Sequence, residues 1–385
     1  MKNQKTVIFV TASVNLSGAD FSMYALIRKL KKENYNSKVI LMKAGKSSAF
    51  LRKNNIECFI IPLKKWITSK NKLLVLPEKI VKKLYNKLLL QKYYKKIVAN
   101  CNDICCVYNN GFTNDFAVLL AKRIKKPCVY HIREFGDLDF HWNFLKGNKF
   151  RQYEAIEKDV NLFIAISNAV KESFSKARNY ERIKVVYNGI ENKDINDKSK
   201  NRDDKVIRIV ISGRLGEEKG HILLLKAIKN IIDKGITNLH LDIYGDGADK
   251  DNIKKFIESN HLENYVTLKG FVLGVNYQDY DIGIMASRAE AFGRVTAEYM
   301  MNGLVTIASN SGANPELIRD YEDGILFNCN DEKDLTNKIL EVMNSEKLRN
   351  KISKNAIKSA HEKYSEETYV NNVYNLLIEE NILKK

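Results

Sequence analysis

A chain of 385 residues exceeds what a single hydrophobic core organises, so two domains of roughly 180 residues each are expected. Apolar residues at 44%, only four prolines and no short internal repeat exclude a disordered chain and a solenoid. The net charge of +18 calls for an anionic partner, such as a phospholipid surface, nucleic acid or a phosphorylated substrate.

The first apolar run, Thr6 to Ala12, is too short and too soon followed by polar residues to be a signal peptide or membrane span, so a cytosolic protein is expected. It reads instead as the first of a series of buried, β-branched strands: Val7 to Val10, Val39 to Leu41, Cys58 to Ile61, Ile104 to Tyr108, Cys128 to His131, Leu162 to Ile166 and Lys184 to Tyr187. Asp20 to Lys32, Asn114 to Lys125 and Asn168 to Arg178 carry helical periodicity between them, which predicts a doubly wound α/β domain over residues 1–187. After the first strand, Asn15-Leu16-Ser17-Gly18-Ala19-Asp20 places a glycine where backbone can approach a phosphate or sugar.

From Lys64 to Val98 eleven lysines face a single acid, Glu78, interleaved with Trp66, Leu73, Leu74, Ile80, Leu84, Tyr85, Leu88, Leu89, Tyr93 and Tyr94. Two readings stand: a basic amphipathic helix at an anionic membrane interface, or a solvated helical face whose apolar side lies in the core.

Residues 188–205 begin with Asn-Gly, mix Asn, Asp and Lys without apolar period, and read as an interdomain linker. A second strand series follows at Ile207 to Ser212, Leu239 to Tyr244, Val266 to Lys269, Ile282 to Met285, Val305 to Ala308 and Ile325 to Phe327. A second Rossmann-like domain is therefore expected over 206–363, with a helix over 364–385 packing back on the first domain. Two such domains facing one another would form a deep cleft where strand C-termini and helix N-termini converge, a place for a nucleotide-linked ligand. The six cysteines form no CxxC pair and have no histidines at zinc-ligand spacing, so reduced thiols and no metal are expected.

The most informative segment is Ala286 to Gly303, A-S-R-A-E-A-F-G-R-V-T-A-E-Y-M-M-N-G. Glu290 follows a buried strand, Phe292 and Gly293 turn the chain into a helix, and Glu298 lies two turns along it. Backbone N–H groups at the helix start, Gly293 to Val295, suit a diphosphate, and the two carboxylates suit sugar hydroxyls on either side.

This segment resembles the signature of glycosyltransferase family 4, a class of retaining enzymes of GT-B architecture, in which seven residues separate two glutamates. Ser212-Gly213-Arg214-Leu215-Gly216-Glu217-Glu218-Lys219-Gly220 resembles the family loop whose arginine and lysine neutralise the donor diphosphate. Tyr244-Gly245-Asp246-Gly247, Gly270-Phe271-Val272, Ser311-Gly312-Ala313-Asn314-Pro315-Glu316 and Tyr187-Asn188-Gly189-Ile190 resemble its other loops. In the first half the likeness is thinner: Gly18 fits a loop that usually ends Gly-Gly-x-Glu, while Ser17 and Asp20 depart from it.

The resemblance implies a nucleotide sugar, UDP- or GDP-linked, held by Gly18, Arg214, Lys219, Phe271, Val272, Phe292, Gly293, Arg294, Val295 and Glu298. Arg294 stands where the family often has an aliphatic residue. His131, in the run His-Ile-Arg-Glu-Phe-Gly-Asp, matches the family's histidine beside the anomeric centre and is expected, with Glu290, to be catalytic. Asn109, Arg133 and Glu134 are expected near the acceptor. Arg214 and Lys219 supply the charge a metal would, so no metal or other cofactor is expected. Asp279-Tyr-Asp281 and Asp137-Leu-Asp139 are accordingly read as structural rather than as metal-chelating pairs. The expected partners are the nucleotide sugar, a glycan or lipid-linked oligosaccharide and an anionic membrane surface touched through Lys64 to Val98, at the inner face of the cell membrane. Rivals are a nucleotide-sugar epimerase, which would need acid/base groups beyond His131 and would act without acceptor, and a nucleic-acid binder, which lacks a recognition module or stacking platform.

Overall fold

The structure, a computed structural model, describes residues 4–68, 72–101, 103–191 and 205–384. The greater part of the expected linker, 192–204, lies outside the described residues. The chain divides into two compact units, 1–189 with 366–385, and 190–365.

In unit 1 the elements run β1 (Thr6–Thr11), α1 (Gly18–Lys32), β2 (Asn36–Leu41), α2 (Lys46–Lys53), β3 (Cys58–Ile60), β4 (Ile67–Thr68), α3 (Lys72–Ala99), β5 (Ile104–Asn110), α4 (Phe116–Ile124), β6 (Cys128–Ile132), β7 (Asn143–Phe144), α5 (Lys149–Glu154), β8 (Leu162–Ala165), α6 (Asn168–Glu172) and β9 (Lys184–Val185). Seven strands form one sheet in the order β3-β2-β1-β5-β6-β8-β9, every pair parallel. β1 is buried along its whole length, as strands covered by helices on both faces must be. The helix expected from Asn168 to Arg178 ends at Glu172, and β4 and β7 add a small antiparallel pair absent from the strand pattern because each has only two residues.

Unit 2 runs β10 (Ile207–Ser212), α7 (His221–Asp233), β11 (Leu239–Tyr244), α8 (Lys250–Ser259), β12 (Val266–Gly270), β13 (Ile282–Met285), α9 (Arg294–Met301), β14 (Val305–Ser309), α10 (Asn314–Leu317), β15 (Ile325–Phe327), α11 (Glu332–Asn344) and α12 (Glu346–Tyr364). Its six-stranded sheet, β12-β11-β10-β13-β14-β15, is again parallel throughout. The order reverses between β10 and β13, the switch point at which open α/β sheets bind ligands beyond the strands' C-terminal ends. The last helix, α13 (Glu366–Glu379), belongs to unit 1, where Tyr369, Val370, Val373 and Leu377 enter the same core as Leu26, Phe9 and Val39.

The basic stretch divides its apolar residues. In α3, Asn86, Leu89, Leu90 and Ile97 are buried, whereas Val81, Leu84 and Leu88, spaced three and four apart on the opposite side, are 58%, 54% and 61% exposed. Trp66 is no interfacial anchor: it is buried, donates from Nε1 to the Phe112 carbonyl at 3.0 Å and stacks on Tyr130. Residues 69–71 and the side chains of Leu73, Leu74 and Ile80 lie outside the described ones. Among the described residues no helix is long and apolar enough to cross a membrane.

Candidate active site

The site assembles in unit 2 where β10, β12, β13 and β14 end. The fully buried strand β13 delivers the chain to Glu290. Gly293 then turns it at φ 85° and ψ 50°, a left-handed conformation open to glycine at little cost, and α9 starts at the next residue. A side chain at Gly293 would also crowd Thr296 Oγ1 and Asn314 Oδ1, at 3.1 and 3.2 Å. Those two atoms are 3.0 Å apart, and Asn314 donates to the Ser309 carbonyl at 3.1 Å, so the start of α9 is tied to the end of β14. The first turn of α9 thus presents its amide dipoles along a fixed axis.

Two cation–carboxylate pairs stand here. Lys219 Nζ, at the end of the short 3-10 turn Glu217–Lys219, lies 2.8 and 3.0 Å from Glu290 Oε1 and Oε2. Arg294 Nε, on the first residue of α9, lies 3.0 Å from Glu298 Oε1. Arg214 pairs with Glu218 at 2.6 Å and keeps half its side chain in solvent. The two loops carrying these groups touch through the Arg288 amide, which donates to the Glu218 carbonyl at 2.9 Å. From the other side, the Ala313 amide donates to the Glu290 carbonyl at 2.8 Å. Arg214, Lys219, Glu290, Gly293, Arg294, Val295 and Glu298 therefore belong to one surface of unit 2. Chemically the set offers carboxylates that accept from hydroxyls, and ammonium, guanidinium and helix-start amides that take up phosphate charge.

Phe292 lies in the turn before α9. Its side chain is buried edge-on against Tyr364 at 5.9 Å, so only its backbone remains for a ligand. Phe271 and Val272, with Leu273, form an apolar tip beyond β12, 73%, 46% and 73% exposed. Gly18 opens α1 in unit 1, beside Ser17. The departure at Asp20 is structural: its buried carboxylate accepts from the Ser17 amide at 2.9 Å and from the Ser13 and Ser17 hydroxyls, each at 2.7 Å.

The expected catalytic histidine belongs to unit 1. His131 lies inside β6 rather than at its open end, fully buried, with Nδ1 2.5 Å from the Tyr108 hydroxyl and its ring facing Tyr369. Burial and the neighbouring Arg133 guanidinium hold its pKa well below the usual value, which favours the neutral ring, and its Nε2 has no hydrogen-bond partner among the described residues. Of the acceptor-region set, Asn109 is buried and spent on its own loop, donating to the Gly111 carbonyl at 2.6 Å and accepting from Asn114 at 3.2 Å. Arg133 donates to Asn110, Asn188 and the Tyr369 hydroxyl at 2.9, 2.5 and 2.9 Å, a clamp on α13. Glu134 accepts from the Phe112 amide at 2.9 Å, and burial pushes its carboxyl up to about 7. In the Asp-x-Asp pairs, Asp281 accepts from the Arg208 amide at 2.9 Å, Asp279 from the Asn276 side chain at 3.0 Å, Asp139 from the Phe135 and Gly136 amides at 3.0 and 2.7 Å, and Asp137 pairs with Lys149.

Residues 16–193 match the family described as Glycosyltransferase Family 4, and residues 192–359 the family described as Glycosyl transferases group 1. The chain belongs to these glycosyltransferases. An uncharacterised glycosyltransferase of Methanocaldococcus jannaschii is 30% identical over 59% of the chain, an alignment that spans 62% of the archaeal protein. The alpha-monoglucosyldiacylglycerol synthase of Acholeplasma laidlawii is 23% identical over 79% of this chain and 82% of its own. The fold is that of the Anabaena protein HepE, solved in complex with UDP: TM-score 0.77, 21% identity, 97% of this chain and 100% of that one. The individual parts of Glu218, Thr296 and Asn314 depend on contacts between loops that no local pattern displays.

Proposed function

We propose that the chain is a retaining glycosyltransferase that moves a sugar from a UDP- or GDP-linked donor to a membrane-associated glycan or lipid-linked acceptor, in capsule or other cell-surface polysaccharide assembly. The observation that carries this reading is the placing of Lys219–Glu290 and Arg294–Glu298 around the first turn of α9. In it, Glu298 takes the nucleotide ribose, Glu290 takes sugar hydroxyls, and Arg214, Lys219 and the α9 amides take the diphosphate. The apolar tip of Phe271 and Val272 offers a face to the base. Lys219, in contact with Glu290, is assigned to the phosphate beside the carboxylate assigned to the sugar hydroxyls.

Breaking the bond between sugar and phosphate leaves an oxocarbenium-like carbon and a diphosphate carrying the departing charge. Fixed cations and helix-start dipoles stabilise that charge more than they stabilise the ground state, and no metal is needed for it. No side chain in the set serves as a nucleophile, so retention is assigned to attack on the face the diphosphate leaves, with the leaving phosphate accepting the acceptor's proton. The UDP of HepE and the glycolipid in the Acholeplasma protein's name support the donor and acceptor classes. The lysine-flanked outer face of α3, with Val81, Leu84 and Leu88, supports peripheral contact with an anionic membrane at its inner face.

The test is the anomeric configuration of the product, read by NMR after incubation with nucleotide sugars and lipid-linked acceptors in vesicles. Transfer with retained configuration and release of the nucleoside diphosphate supports the reading. Inversion overturns the mechanism, and interconversion of the nucleotide sugar without acceptor makes the protein an epimerase.

A further inference from the structure

Beside α3, unit 1 holds a groove of about 760 Å³, a size within the roughly 300–1,000 Å³ of small-molecule sites. Its floor is apolar, built from Trp66, Leu90, Val118, Leu119, Leu145 and Ile156. Its rim is cationic. Lys87, Arg123 and Lys146 line it, and none of the three pairs with an acid among the described residues; Arg123 lies 4.5 Å from the centre of the Tyr94 ring. Four cations, Lys87, Lys122, Arg123 and Lys146, line the groove against two carboxylates, Asp115 and Asp159. Asp159 pairs with Lys122 at 2.9 Å, and Asp115 accepts from Asn86 Nδ2 at 2.6 Å. The balance of charge along the lining is therefore positive.

The position of the groove on α3 matters. Lys87 and Gln91, one turn apart, line it, and they are the neighbours of Leu84 and Leu88 along the helix surface. The groove therefore opens on the flank between the buried face of α3 and its outward apolar stripe. An apolar trough beside an apolar membrane-facing stripe, with cations at the mouth, matches an amphiphile whose tail leaves water while its phosphate stays at the edge.

We propose that this groove takes one acyl chain of an anionic phospholipid, with the phosphate held by Lys87, Arg123 and Lys146. The proposal rests on the membrane-surface part of the functional reading and moves the lipid contact from the outer face of α3 into a built site. Chain length sets affinity there, each additional methylene buried strengthening binding by roughly fourfold.

Trp66 on the groove floor provides the readout. The chain has two tryptophans, so Trp142→Phe leaves Trp66 as the sole indole. Fluorescence of this full-length variant is measured with phosphatidylglycerol vesicles carrying brominated or ordinary acyl chains, and with brominated phosphatidylcholine; sedimentation with the vesicles is followed in parallel. Bromine quenches indole emission on contact. The expected result is loss of at least half the emission with brominated phosphatidylglycerol only. Ala155→Phe, at an exposed rim position with φ −69° that any residue adopts, fills the mouth and abolishes quenching while sedimentation persists. Lys87→Glu combined with Lys146→Glu weakens quenching tenfold or more. Sedimentation without quenching overturns the groove and leaves the membrane reading standing; no sedimentation overturns both. Equal quenching by brominated phosphatidylcholine removes the anionic occupant, and quenching that survives Ala155→Phe removes the groove as its place.

Discussion

Lys219 Nζ lies within hydrogen-bonding distance of both carboxylate oxygens of Glu290, 2.8 and 3.0 Å away, although the two residues are 71 positions apart. The cation expected at the diphosphate and the carboxylate expected at the sugar thus hold one another in position before a ligand arrives. Glu290→Gln keeps the shape and loses the charge. It is expected to lower turnover about 100-fold, in line with the loss of one preorganised electrostatic group. Because both side chains retain some exposure, stability should change by only about 0–1 kcal/mol. Steady-state rates beside a melting curve check both halves; unchanged turnover removes Glu290 from the mechanism.

Gly312 carries a second, steric prediction. Its φ is +59°, and a Cβ there would sit 2.5 Å from the Glu290 carbonyl oxygen and 2.6 Å from its amide nitrogen. Neither backbone atom can move without moving Glu290. Gly312→Ala is expected to cost about 1–3 kcal/mol in strain and to weaken donor binding, whereas Gly235→Ala, with open space around it, should leave donor binding unchanged. Chemical denaturation and donor titration of both variants decide the matter.

Arg133 is predicted to act on stability rather than on acceptor choice. Removing its three hydrogen bonds with Arg133→Met leaves Asn110, Asn188 and Tyr369 with polar atoms unmatched, expected to cost about 2–4 kcal/mol. Tyr369→Phe removes one of the three and should cost about 1 kcal/mol. Hydrogen exchange should accelerate selectively in α13. An Arg133→Met variant with a native melting point and an altered acceptor range would contradict this.

Two buried groups give pH dependences of opposite sign. Burial raises Glu134 to about 7, so the folded state holds its proton more tightly than the unfolded chain, and stability falls as pH rises from the ordinary Glu range to 7. The side chain keeps partial solvent access, which limits the effect to about 1–3 kcal/mol. Glu134→Gln, still able to accept from the Phe112 amide, should be the more stable form at pH 8 and show no such slope. Burial lowers His221 to about 4, so its contribution is present above 6.5 and lost as pH falls from 6.5 to 4. His221→Gln should flatten the acid limb. Urea midpoints across pH 4 to 8 separate the two.

Most of the fold was legible because buried parallel strands are short apolar runs that need no partner to be seen. Ile282–Met285 and Leu239–Tyr244 fall where their patterns put them. The loop from Glu290 to Glu298 was legible for a different reason: a glycine that must take positive φ, and charges at a helix start, are local requirements. The surroundings of His131 were not legible, because alternation along β6 turns it toward Tyr108 and Tyr369, and Tyr369 lies 238 residues further along the chain. Trp66 left two readings open, since its aromatic-and-lysine surroundings are identical on paper whether the ring meets lipid or the Phe112 carbonyl. The pairing of Arg133 with Asn188 and Tyr369, like the approach of Gly312 to Glu290, exists only once distant loops are brought together.

The central claim is that the Lys219, Glu290 and Glu298 surface of unit 2 binds a nucleotide sugar. Its most direct test is calorimetric titration of the full chain with a panel of UDP-, GDP-, ADP- and dTDP-sugars, repeated on Glu298→Ala. One nucleotide is expected to bind clearly, and Glu298→Ala to weaken it tenfold or more, about 1.4 kcal/mol. A folded protein that binds none of the panel, or one whose binding is untouched by Glu298→Ala, would contradict the claim.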